Sequence, residues 1–517
     1  MMHAPPPEEV RPARAQSERP VAGSQRASGI LLHPTSLPGP HGSGDLGPAA
    51  YHFVDWLVLA GQSLWQILPL GGIGPGNSPY MSSSAFAGNL LLIDLHALKL
   101  AGWLQDSDLA PTPGFADHRV DYGLVVPWRM ERLRRAATRF SAQATAAQRS
   151  DFGDFCAQHA SWLDDYALFM ALADAHSWSL WCDWSPALAR RETDALAQAR
   201  ARHAEAVHFW QFCQWCFFRQ WGQLRAYANG RGIRIVGDAP IFVAYQSADV
   251  WVRQELFELD GNGRPQVVAG VPPDYFSATG QRWGNPLYRW DAHREEAYAW
   301  WTERVRRTFE LVDIVRIDHF RGFVGYWEIP ASEPTAVIGR WMPGPGAALF
   351  EAIEAALGEL PIIAEDLGVI TPEVDALRRR FKLPGMRVLQ FAFGSGNDNI
   401  YLPHNYDHNT VVYGGTHDND TSIGWWAQAS EAERAHVRDY LATDGHDIAW
   451  DLIRTACASV ADTAIHPMQD VLGLGGDCRM NRPGKREGYW EWRFAWEQVL
   501  PEQARRLRHL CVLYRRG

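Results

Sequence analysis

The chain has 517 residues, enough for two or three ordinary domains or for one barrel with insertions, and for an ample core. Its formal net charge is -10, with Lys plus Arg at 49 against Asp plus Glu at 59, so there is no basic field for a polyanion and nucleic acid is not an expected partner. Its 7 scattered cysteines make no secreted disulfide framework, and no long uninterrupted apolar run predicts a membrane span.

Residues 1–26 are rich in Pro, Ala, Arg and Glu without apolar periodicity, which predicts a disordered N-terminal arm. The arm lacks the apolar centre of a signal peptide, so a cytoplasmic location is expected. Ser28 to Leu32 reads as the first strand, followed by a Gly- and Pro-rich loop from His33 to Gly47. Tyr51 to Ala60 reads as a helix with Phe53, Val54, Leu57 and Val58 on one side, and Ser63 to Leu70 as a second strand. The long loop Gly71 to Asn89 carries Ser78-Pro79-Tyr80 and is either a binding element or an irregular connection.

From about 92 to 230 the chain turns helical and charged, with Glu131 to Ala147 and Asp194 to Trp221 the clearest segments. That is too long for one strand-to-helix connection. It predicts a helical insertion that either borders a groove or only stabilises the fold. Cys213-Gln214-Trp215-Cys216 has redox or zinc spacing, but it lies in a bulky apolar pattern with no second cysteine pair nearby, so a buried helix is expected. The run Gly232 to Ile241 is strand-like and holds Asp238, which either serves a site or caps a following helix. A lid-like loop is expected at about 268–290, carrying Asp274, Tyr275, Phe276, Gln281, Trp283 and Asn285.

The strongest signal is charge at the end of apolar strands. In Leu311-Val312-Asp313-Ile314-Val315-Arg316-Ile317-Asp318-His319-Phe320, side-chain alternation puts Ile314, Arg316 and Asp318 on one face. Arg316 would then favour the ionised form of Asp318, which describes either a prepared nucleophile or a structural pair closing a strand. Leu360 to Gly368 ends in Glu365 and Asp366, and Thr410 to Asp420 ends in His417, Asp418 and Asp420. Further strands are expected at Met386 to Phe393 and Ala464 to Leu474, which makes eight. The predicted fold is α/β, a (β/α)8 barrel spanning 27–517 with long mouth loops and no C-terminal β-sandwich. Such a barrel gathers its strand ends at one mouth, where carboxylates distant in sequence can meet as retaining glycoside chemistry requires.

These stretches, with Gly29-Ile30-Leu31-Leu32-His33-Pro34-Thr35-Ser36-Leu37-Pro38, Gly237-Asp238-Ala239-Pro240-Ile241, Gln281-Arg282-Trp283-Gly284-Asn285-Pro286 and Arg479-Met480-Asn481-Arg482-Pro483-Gly484, stand in one order along the chain. In that order they resemble the 4-alpha-glucanotransferases, also called amylomaltases or disproportionating enzymes, of the alpha-amylase clan. The resemblance implies Asp318 as nucleophile, Glu365 as general acid and base, and Asp418 as transition-state stabiliser. It implies substrate contacts from Tyr80, Asp238, Gln281, Trp283, Asn285, Arg316, His319 and His417, with His404 a weaker candidate. The implied substrates are maltooligosaccharides and α-1,4-glucans, with glucose or glucan as acceptor, handled by a monomer or weak homo-oligomer without cofactor or metal. Some of the 24 Trp residues would line a glucan groove. Met81, Lys485 and Tyr489 depart from the family pattern, which bears on neighbouring sugar contacts and the acceptor side. Transfer rather than hydrolysis rests on the resemblance alone. A hydrolase using the same acids, a non-catalytic glucan binder and a metal-dependent hydrolase built on His319 and His417 are the alternatives.

Overall fold

The computed structural model describes residues 26–273, 277–485 and 488–517. The expected arm up to residue 25, and Asp274, Tyr275 and Phe276 of the expected lid, lie outside the described residues.

Eight parallel strands form the central sheet: β1 (Ala27–Leu31), β2 (Leu64–Gln66), β3 (Arg234–Pro240), β6 (Ile314–Asp318), β9 (Ile362–Ala364), β10 (Gly385–Val388), β11 (Thr410–Tyr413) and β12 (Thr463–Pro467). Their order is β10-β11-β12-β1-β2-β3-β6-β9, and the ring closes where the Ala364 N–H donates to the Pro384 carbonyl at 2.9 Å. A closed barrel leaves no free edge in this sheet. Most positions along these strands are buried, on both faces of the sheet, as expected where the interior packs one face and helices the other. Among the described residues no strand follows β12, and the chain runs on to a helix at Pro501–Tyr514.

Eight strands stand where the sequence places them, the first shifted by one residue and the others with shorter bounds. The expected eighth strand stops at Pro467, whose ring nitrogen carries no donor for the ladder, and a short helix begins at Met468. The expected sixth strand gives way after Val388 to a 3-10 turn at Leu389–Phe391.

Between β2 and β3 the chain makes a series of helices, of which Ala204–Gly230 is 27 residues long. Two expected helices are each divided. Tyr122–Gln143 ends before Thr145, which starts Ala146–Gln158 with a reciprocal capping pair: Gln148 N–H donates to the Thr145 hydroxyl at 3.2 Å and Thr145 N–H donates to the Gln148 side chain at 2.9 Å. Thr193–Arg202 and Ala204–Gly230 are separated at His203. Cys213 and Cys216 are buried in the second of these helices.

The expected loop at 268–290 is in part sheet. It contains β4 (Val267–Val271) and β5 (Gln281–Pro286), which join β7 (Gly325–Pro330) and β8 (Arg340–Pro343) in a four-stranded antiparallel sheet of order β5-β4-β7-β8. Its backbone donors are thus met by neighbouring strands. Trp283 is carried on a strand, a firmer mount than a loop.

Candidate active site

The site is built by register. β6 pairs with β3 so that Asp238 lies level with Arg316 and Pro240 with Asp318. On its other side β6 pairs with β9, Arg316 against Ile363 and Ile317 against Ala364. One residue further, Asp318 and Glu365 stand level at the ends of adjacent strands, which lie about 4.8 Å apart. That spacing suits the roughly 5–5.5 Å carboxyl separation of a retaining pair.

Arg316 is buried inside the barrel mouth. Its Nη1 donates to both carboxylate oxygens of Asp238, at 2.8 and 2.7 Å, and to Asp318 Oδ1 at 3.0 Å. Burial opposes its charge, but Asp238 and Asp318 hold it firmly protonated. Arg316 favours the ionised form of Asp318, as the sequence expects, but a larger effect opposes it. Burial pushes the Asp318 carboxyl up to about 6 despite Arg316, and Asp238 and Asp418 add to the rise. Arg316 is shared, and Asp238 takes the larger part of it.

Glu365 is pushed higher, to about 7, by burial first and by the nearby Asp318 charge, with Arg316 opposing. Its carboxylate is clamped by two backbone donors, His319 N–H at 2.7 Å and Leu367 N–H at 2.8 Å. The neighbouring Asp366 is engaged elsewhere, accepting from Met386 N–H at 2.6 Å and pairing with Arg378 and Arg387, each at 3.4 Å. Of the two acids ending β9, Glu365 is therefore the one left to face the mouth.

Asp418 comes from the turn after β11, which Asn419 folds by accepting from both the Thr416 N–H and hydroxyl at 2.9 Å. Asn481 Nδ2 donates to Asp418 Oδ1 at 2.6 Å, and Arg479 donates to its carbonyl at 2.8 Å. Neither role is legible in the motif holding Arg479 and Asn481, because the contact joins segments 61 to 63 residues apart. Asp420, by contrast, is bound by Gln428 at 2.8 Å and Arg479 at 3.7 Å.

Around the acids, the Tyr80 hydroxyl donates to Asp238 Oδ2 at 2.8 Å and meets His417 Nε2 at 2.9 Å. The Tyr80 and His417 rings stack at 5.4 Å, and Trp490 lies 5.6 Å from Tyr80. The capping alternative for Asp238 does not hold, since the next helix, Ala248–Val252, is capped by Ser247. His319 adopts the left-handed conformation with φ 53°, uncommon for a residue with a Cβ. Burial lowers its imidazole to about 3, and its buried Nε2 has no hydrogen-bond partner among the described residues. Trp283 stands edge-on to the His319 ring at 4.9 Å and donates to the Gln281 side chain at 3.2 Å.

Two predicted contact residues are engaged with protein. Asn285 donates to the Val243 carbonyl at 2.9 Å and touches Met81 Sδ at 3.6 Å. His404 has one ring nitrogen 2.8 Å from the Tyr440 hydroxyl and the other 2.9 Å from the Asn397 carbonyl, so it does not join the three acids. Among the described residues no group of three His, Cys, Asp or Glu is placed to hold a metal ion, and no helix is long and apolar enough to cross a membrane.

A family profile described as 4-alpha-glucanotransferase matches residues 32–498. The 4-alpha-glucanotransferase of Thermus thermophilus is 53% identical over 494 residues, covering 94% of this chain and 98% of the relative. That of Synechocystis sp. is 50% identical over 496 residues, covering 95% and 98%. The structure of amylomaltase from Streptococcus agalactiae in complex with acarbose matches with a TM-score of 0.93 at 40% identity, covering 95% of this chain and all of the other.

Proposed function

The chain belongs to the 4-alpha-glucanotransferase family and is a hexosyltransferase of that activity, and from that premise we propose a retaining double displacement run by Asp318, Glu365 and Asp418. The observation that carries the assignment is the level placement of Asp318 and Glu365 on adjacent strands, with Glu365 the acid that burial pushes higher.

In the first step an Asp318 oxygen attacks the anomeric carbon of a bound α-1,4-glucan. The bond to the leaving 4-oxygen breaks as protonated Glu365 delivers its proton there. A β-linked glucosyl ester forms and the reducing-end fragment departs. In the second step Glu365, now ionised, takes the proton from the 4-hydroxyl of a glucose or glucan acceptor, whose oxygen displaces Asp318. Two inversions give net retention, and Glu365 ends as it began.

Asp418 opposes the positive charge that develops on the ring, held in place by Asn481. Neutral His319, whose Nε2 has no partner among the described residues, suits hydrogen bonding to a sugar hydroxyl. Tyr80 and Trp283 offer apolar ring faces on two sides of the acids.

Incubation with pure maltotriose tests this reading. The expected product is a ladder of shorter and longer oligosaccharides with free glucose and no net gain of reducing ends. Asp318→Asn should lower the rate by about four orders of magnitude. Net growth of reducing ends, or an Asp318→Asn variant that still redistributes chains, would overturn it.

A further inference from the structure

The four-stranded sheet carries aromatic residues on both faces. Trp327 on β7 lies level with Trp341 on β8 and with Gly270 on β4, and Gly270 lies level with Arg282 on β5. Residues level in a ladder share a face, so Trp283, one place along from Arg282, points the other way, toward His319. Trp327 and Trp341 therefore stand on the side turned from the mouth.

Both indoles are held in place. Their rings meet edge-to-face at 5.3 Å and 67°. Trp327 Nε1 donates to the Ala336 carbonyl at 3.0 Å, and the Arg321 guanidinium lies 4.0 Å from the centre of the Trp341 ring. Even so, Trp341 is 44% exposed, beside Val337 and Ile338 at 53% and 57%. Arg321 follows two residues after His319 and donates to the carbonyl of Val369, on the loop leaving Glu365. The platform is thus fixed to the same two strand ends that bear the acid pair.

We propose that Trp341, backed by Trp327, is a second contact for long α-1,4-glucans, outside the catalytic mouth and beyond the edge of β8. The proposal rests on the glucanotransferase reading for its substrate class. An indole fixed by a cation over its ring and by a second indole, yet still 44% exposed, is prepared to stack on the apolar face of a sugar ring, with little rotamer freedom left to lose. Strand addition by a second protein copy fits less well. β8 has only 4 residues, ends in Pro343, and carries Arg340 paired with Glu328, features that blunt an edge.

The test is affinity electrophoresis of Asp318→Asn protein through gels containing soluble starch, with and without Trp341→Ala, alongside kinetics in the active background. Trp341→Ala should weaken starch binding about 5- to 10-fold and lower the ratio of kcat/KM on amylose to that on maltotriose by a similar factor. Trp341→Phe, which keeps a ring, should retain most of the binding. Unaltered starch retardation in Trp341→Ala overturns the proposal, as does a sedimentation change without any change in retardation, which would mark a protein interface. Failure of the wild-type protein to redistribute maltotriose would instead count against the catalytic reading, while starch retardation would still report on Trp341.

Discussion

Asp238 and Asp318 draw on one guanidinium, and the division between them sets the proton affinity of the nucleophile. Arg316 Nη1 makes two of its three carboxylate bonds to Asp238, so Asp318 receives a partial counter-charge while burial and the charges of Asp238 and Asp418 push it up to about 6. With Glu365 pushed to about 7, the pair is correctly charged for the first step only in a narrow band: Asp318 must have lost its proton and Glu365 must have kept it. The profile of kcat/KM against pH should be a bell whose acid limb lies near 6 and whose alkaline limb lies near 7, values belonging to the coupled pair. Removing the Asp238 charge takes away one repulsion and frees Arg316 for Asp318. Asp238→Asn should therefore move the acid limb down by about one pH unit. Its maximum should also fall, because Tyr80 loses the ionised partner of its hydroxyl. An acid limb that stays in place or moves up, measured with maltotriose, would refute the shared-guanidinium account. The sequence had placed Arg316 and Asp318 on one face by alternation alone. It could not reveal the competition, because Asp238 lies 78 residues away and only register brings it level.

At the scale of elements, the eight strands were legible because each is an apolar run ending in Gly, Pro or a charged residue, and the acids were legible because charge at a buried strand end is conspicuous. Less legible were features that depend on partners. The segment around Gln281 and Trp283 reads as a loop through its Gly and Pro content, yet it is strand because β5 pairs with β4, which is itself held on its other side by β7 from beyond β6. The helix breaks at His203 and Thr145 were missed because apolar content carries across them. Gly29 is another such case. It sits in β1 level with Leu64 of β2, where an added Cβ would stand 2.5 Å from Leu64 Cβ and 2.8 Å from its carbonyl oxygen. Neither atom belongs to a flexible side-chain end, so β1 and β2 would have to move apart. Gly29→Ala should cost about 1–3 kcal/mol and lower the melting temperature by about 1–3 °C. Calorimetry showing no drop would mean that the strands separate freely, contrary to a closed barrel.

For the whole molecule, the barrel divides its tasks between its ends. The acids occupy the C-terminal ends of the strands, whereas the opposite end is closed by a buried arginine close to the last residue described. Arg516, 1% exposed, donates to the carbonyls of Cys457, Ala461, Ala456, Ser459, Ala27 and Asp462 at 2.7 to 3.3 Å. These carbonyls lie at the end of helix Ile448–Ala458, in the turn into β12 and at the start of β1, so one side chain ties the final helix to both strands. The helix end supplies unpaired carbonyls and the negative pole of its dipole, which together compensate a cation that burial drives down to about 10. Arg26, just before β1, adds to the contact, donating to the Tyr514 and Cys457 carbonyls at 3.0 Å. Arg516→Ala would leave several carbonyls without donors in a space closed to bulk water, at a cost of about 3 kcal/mol or more. Arg516→Lys should recover little of this, because a single ammonium cannot span the fork that the guanidinium fills. Both variants should melt several degrees below the wild type while keeping kcat/KM on maltotriose at room temperature, since bottom-face contacts hold the barrel and mouth residues run the chemistry. A variant that melts normally but turns over slowly would show that the two ends are coupled, and the division of labour would fail.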